Sequence, residues 1–100
     1  MKAMRIISIV EGKIPHRKIE SFETSYEVLR HRPKPAGWMR SSLLKNSKKS
    51  GVYRIETVWE DQESFDAMIC SVPRPTASEL FENVGVAPTV EIFEIVQSMP

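Results

Sequence analysis

Several chemistries are closed to this chain by what it lacks. Cysteine occurs once, at position 70, so no disulfide can form within the chain. A cytoplasmic setting suits a protein with one thiol. Histidine occurs twice, at 16 and 31, far in sequence from Cys70, and no ligand spacing for a metal emerges. The four glycines, at 12, 37, 51 and 85, are too scattered to cradle a phosphate. The formal net charge is +1, which gives no broad field to gather nucleic acid or an anionic membrane. Spanning a bilayer takes about 20 consecutive apolar residues, and no such run exists. The start, Met1-Lys2-Ala3-Met4-Arg5, leads into a short apolar run without a secretory cleavage site. Metal, membrane and nucleic-acid partners are therefore not expected.

What is present is an ordinary globular balance, 41% apolar and 27% charged, over 100 residues. That length supports one domain, 1–100, with one core. The β-branched run Ile6, Ile7, Ile9, Val10 predicts a strand over Met4–Glu11. After Gly12 and Pro15, Ile19, Phe22, Tyr26 and Leu29 recur at helical spacing, so a helix should run from Pro15 to about Arg32, where Pro33-Lys34-Pro35 stops it. Trp38–Asn46 and Val52–Glu60 read as a hairpin closed by the polar turn through Gly51. The second of these strands alternates: Tyr53, Ile55, Thr57 and Trp59 share one face, and Val52, Arg54, Glu56 and Val58 the other.

Asp61 is a suitable N-cap for a second helix with Phe65, Met68, Ile69 and Val72 as its buried stripe. Pro73-Arg74-Pro75 ends it. Thr76-Ala77-Ser78-Glu79 has capping-box spacing and opens a short third helix that Gly85 closes. Thr89–Gln97 is the last strand. The order β-α-β-β-α-(α)-β gives a ferredoxin-like α+β fold, a four-stranded antiparallel sheet with its helices on one face. The opposite face would carry Val52 and Val58 with either Val90, Ile92 and Val96 or Phe93 and Ile95. So much apolar area should not stay in water. Two such sheets packed together would cover it, predicting a two-fold homodimer.

Val52-Tyr53-Arg54-Ile55-Glu56-Thr57-Val58-Trp59-Glu60-Asp61-Gln62-Glu63-Ser64-Phe65, a strand ending in Trp before a polar helix start and an aromatic, resembles the antibiotic biosynthesis monooxygenase family of the dimeric α/β-barrel superfamily. Pro35-Ala36-Gly37-Trp38 resembles that family's approach to its second strand. The resemblance covers nearly the whole chain. It implies a dimeric α/β barrel with one pocket per subunit, and either cofactor-free oxidation of aromatic or quinone-like molecules or haem degradation. The haem branch pairs its Trp with an Asn on the first strand and a His on the following helix. Trp59 matches, but 4–11 holds no Asn and 62–72 no His, which disfavours that branch; Met68 and Cys70 would be the substitute ligands. Some oxygenases flank the Trp with Asn and Tyr, where this chain has Ile55 and Phe65.

The reading is a monooxygenase-like protein that acts without a cofactor on a small aromatic or quinone-type molecule. Trp59, Tyr53, Trp38, Phe65, Tyr26 and Met68 are the pocket candidates, and His16, His31 and Arg40 the candidates for orienting substrate. The alternative is a non-catalytic ligand-binding or sensing homodimer on the same scaffold. A structural reading stands beside each assignment: Trp59, Tyr53 and Phe65 as core, His16 as solvent-exposed, His31 as a cation at a helix C-terminus, Arg54 and Glu56 as interface ion pairs, and Cys70 as a small buried apolar residue. An RNA-recognition motif shares the strand order, but Gly51-Val52-Tyr53-Arg54-Ile55 lacks its basic-glycine-aromatic signature.

Overall fold

A computed structural model describes residues 4–100; Met1, Lys2 and Ala3 lie outside them. Strand β1 (Ile6–Lys13) is followed by a 3-10 turn at His16–Lys18, helix α1 (Ile19–Val28) and a second 3-10 turn at Leu29–His31. The hairpin β2 (Trp38–Lys45) and β3 (Val52–Trp59) comes next, then α2 (Gln62–Ser71), α3 (Thr76–Glu82) and β4 (Thr89–Glu94). The sheet order is β2-β3-β1-β4, with every pairing antiparallel. The ferredoxin-like α+β expectation holds. The first strand runs two residues further than the sequence suggests, because Lys13 still pairs with Val52. The last strand stops three residues sooner, at Glu94.

Register decides what each face carries. Ile6 pairs with Trp59, Ser8 with Thr57, Val10 with Ile55 and Gly12 with Tyr53, so the alternate residues of the two central strands point together under the helices. At one end of this face Val10, Ile14, Phe22, Tyr53, Ile55, Leu80 and Phe81 form the core. Phe22 meets Tyr53 edge-on, with ring centroids 5.5 Å apart, and tilts against Phe81 at 4.8 Å. Both geometries suit the aromatic quadrupole. Residue 12 is a glycine because Phe81 and Val86 occupy the space a Cβ would need.

Pairing of Val10 with Val90 and Ile7 with Phe93 settles the parity of β4. Val90 and Ile92 face the helices. Phe93 joins Ile7, Ile9, Val52 and Val58 on the helix-free face. There Arg54 bridges Glu11 at 2.8 Å and Glu56 at 3.3 Å, ion pairs within the one chain. Phe93 is 48% exposed in the single chain.

Three local expectations fail. Helix α2 has no buried residue; its apolar stripe overhangs a void instead of packing on the sheet. Cys70, on that helix, is exposed, not buried. Thr76 is the first residue of α3 and does not cap it: Pro75 takes the N-cap position and no side chain bonds the free amides. Asp61 does cap α2, accepting from Ser64 N–H at 2.8 Å. That bond favours the carboxylate and lowers the Asp61 pKa. Gly85 adopts positive φ just beyond α3, as a helix terminator should. No helix among the described residues is long and apolar enough to cross a membrane.

Candidate functional site

The end of the sheet opposite the aromatic core is not filled. A cavity of about 850 Å³ lies between sheet, α1, the α1–β2 connection, α2 and the start of α3. Drug-sized ligands occupy clefts of this scale. Its depth arises because α2 touches the sheet chiefly through the Trp59–Phe65 edge contact, 5.7 Å between centroids. Beyond Phe65, Met68 and Ile69 face open space.

Trp59 forms part of the floor. It is 3% exposed, and its indole N–H donates to Ser8 Oγ at 3.2 Å, which fixes the plane of the ring. Trp38, its cross-strand partner, lies beside it at the edge. Tyr26 reaches from α1 and donates its hydroxyl to Ser41 Oγ at 2.9 Å, and Thr57 Oγ1 donates to the same oxygen at 3.3 Å. Ser8, Thr57, Ser41 and Tyr26 thus lay a row of hydroxyls across an otherwise aromatic and aliphatic surface. When Ser41 accepts both bonds, its own proton is left to donate into the cavity. A ligand oxygen placed there finds both donor and acceptor capacity.

Trp59, Trp38, Phe65, Tyr26 and Met68 all line the cavity. Tyr53 does not. It shares a strand face with Trp59 but stands six residues, or ~20 Å, along β3, where Phe22 and Phe81 have filled the space. Its hydroxyl donates to the Glu23 carboxylate, and burial first, then that bond, push its pKa up to about 12.

The three substrate-orienting candidates also fall outside. His16 is exposed in the 3-10 turn before α1, and His31 is exposed in the turn after it, the position where a cation suits the helix dipole. Arg40 points away because the ladder shifts by one residue between Trp38 and Arg40. Such a bulge reverses the alternation, so Trp38 faces the helices while Arg40, opposite Val58, lies on the far face. Ser8, Ser41 and Thr57 were missed by the sequence reading, although hydroxyls at helix-facing strand positions are themselves a signal.

The titratable side chains at the cavity are Glu23, Glu27, Arg30, Arg32 and Lys34, besides Tyr26. Glu27 and Arg30 pair at 2.8 Å; their hydrogen bond lowers the pKa of Glu27 and raises that of Arg30. Lys34 Nζ donates to the carbonyls of Leu29 and Arg32, each at 2.7 Å, and sits 5.4 Å from the Trp38 ring centre. Haem would need an axial ligand. Among the described residues the lining offers neither imidazole nor thiolate, the Tyr26 hydroxyl is engaged by Ser41, and the Met68 thioether is the one remaining side chain of a type that can ligate the iron.

No family model and no curated protein matches the chain. Solved structures do share its fold. A variant of SnoaB, a cofactor-independent oxygenase from Streptomyces nogalater, is 21% identical over 98% of this chain and 99% of that one, at a TM-score of 0.72. MhuD, a haem degrader from Mycobacterium tuberculosis solved with two haems in its active site, is 22% identical over 95% and 99%, at 0.71. A Caulobacter crescentus protein described provisionally as an antibiotic biosynthesis monooxygenase is 16% identical over 95% and 92%, at 0.74. The likeness at these identities is one of fold, and it bears out the resemblance to the antibiotic biosynthesis monooxygenases.

Proposed function

We propose that this chain is a monooxygenase-like protein that oxidises a small aromatic or quinone-type molecule with dioxygen and no cofactor. The observation that carries the reading is the Trp59-floored cavity with its row of hydroxyls. A flat ring fits against Trp59, Trp38 and Phe65, and its phenolic oxygen meets Ser41, Thr57 and Tyr26. A phenol with a free para C–H balances the reaction by itself: phenol plus O2 gives quinone plus water. One oxygen atom enters the ring; the other leaves with the phenolic and ring hydrogens. The ring supplies all four electrons. The chain's part is to hold the phenolic oxygen, favour its ionised form through the Ser41 hydroxyl proton and nearby cations, and keep water from the reacting carbon.

The same reading includes a homodimer, joined through the helix-free face, and a cytosolic location. On that face Phe93 is exposed and Ile7 and Ile9 are half-buried, an apolar row that supports the dimer, and the lone exposed thiol of Cys70 suits a reducing compartment.

A second reading, ligand binding without turnover, is favoured by one feature. The carboxylates at the cavity, Glu23 and Glu27, are already engaged by Tyr53 and Arg30, leaving no idle general base. Oxygen uptake on a panel of naphthols and hydroquinones separates the two. Oxygenation predicts enzyme-dependent uptake and one atom of labelled dioxygen in the product from a naphthol. Trp59→Phe should reduce uptake severalfold in a variant with unchanged circular dichroism. Ligand binding with no uptake selects the second reading, and uptake indifferent to Trp59→Phe removes this cavity as the site.

A further inference from the structure

The cavity's charges are unevenly placed. Glu23 lies at the filled end, beside Tyr53. The aromatic end, where Trp38 and Trp59 meet, is bordered by the α1–β2 connection with Arg30, Arg32 and Lys34. Two of these cations have protein partners. Arg30 is held by Glu27 through Nε at 2.8 Å and Nη2 at 3.3 Å. Lys34 is spread over carbonyls in and just after the turn that follows α1, at 2.7, 3.3 and 2.7 Å from Leu29, Arg30 and Arg32. The Arg32 guanidinium has no acceptor among the described residues, yet it borders the same cavity. Its backbone is tied down: Arg32 N–H donates to Leu29 O at 3.1 Å, its carbonyl accepts from Lys34, and Pro33 follows. The unpaired head therefore projects from a fixed base beside the aromatic floor.

We infer that the site selects an aromatic molecule bearing an anionic substituent, with Arg32 as the residue that recognises it. This rests on the cavity being the substrate site. A guanidinium offers a planar fork that matches a carboxylate in two parallel bonds. Lys34, fixed over Trp38, adds positive potential on the same side without spending its own donors on the ligand. The neutral Glu27–Arg30 pair contributes little field at that distance.

The test uses two ligands of one shape, 6-hydroxy-2-naphthoate and its uncharged amide, titrated calorimetrically into the full chain at low salt. The acid should bind about tenfold more tightly than the amide, in keeping with one partly exposed charge-assisted pair, and added salt should narrow the gap. In Arg32→Gln the preference should fall to the small remainder that Lys34 supplies, while amide affinity holds. Arg17→Gln, an exposed arginine outside the cavity, should behave as the parent. Equal affinity for acid and amide in the parent, or a preference undiminished in Arg32→Gln, overturns the inference. Amide binding and phenol oxidation that persist without an acid preference would remove the inference alone. Failure of both ligands to bind would take the cavity reading with it.

Discussion

Replacing Tyr53 by Phe tests how the filled end of the molecule holds α1 to the sheet. The Tyr53 hydroxyl, on a 2% exposed side chain, donates to the carboxylate of Glu23 on α1. A hydrogen bond to a charged group contributes about 1.5–3 kcal/mol. Glu23 is exposed and rehydrates when the hydroxyl goes, so the lower figure, about 1.5 kcal/mol, is the expected loss at pH 8. The sign with pH then follows. Below pH 10 the hydroxyl is protonated folded and unfolded alike, and the full difference persists. Between 10, the ordinary tyrosine value, and the folded value of about 12, the unfolded chain gives up a proton that the folded chain keeps. Stability of the parent must fall as pH rises through that window, by up to about 1.4 kcal/mol per pH unit. The Phe variant lacks this term, while lysine titration affects both proteins equally. Their urea-denaturation stabilities, measured from pH 8 to 11.5, should therefore converge and meet near pH 11. A gap that stays constant across the range would refute the raised pKa, and no gap at pH 8 would refute the bond's contribution.

Gly37 has φ of +84° and lies against the Ser64 side chain, so Gly37→Ala should cost about 2 kcal/mol or more; combining it with Ser64→Gly should recover the steric part but not the backbone part, as read by thermal melts. Phe93→Glu should convert a particle of twice 11.5 kDa into single chains in sedimentation, with circular dichroism retained, since Phe93 touches no helix in its own subunit. A parent that sediments as one chain would sink the dimer.

The fold could be read because its signals were local and mutually consistent. Alternation from Val52 to Trp59 and the proline breaks at 33, 35, 73 and 75 fixed the elements and their order. The parity of β4 could not be read: Val90 with Ile92, and Phe93 with Ile95, are equally apolar sets, and only pairing with β1 separates them. The site was half legible for a similar reason. Alternation shows which face Tyr53 and Trp59 share but not which end of that face the helices fill. Arg40 was misplaced by a one-residue shift that leaves no mark in the sequence. His16 and His31 drew attention as rare titratable residues, while the hydroxyls of Ser8, Ser41 and Thr57 were passed over as common ones.

The suspended second helix has a bearing on how such a protein can diversify. Fold stability resides in Phe22, Tyr53, Phe81 and their neighbours, whereas the ceiling over the opening is drawn by Phe65, Met68 and Ile69, none of them buried. These are separate sets of side chains. Substitutions on the ceiling can reshape what enters while leaving the melting temperature nearly untouched, so new preferences are open to this scaffold without a destabilised ancestor in between.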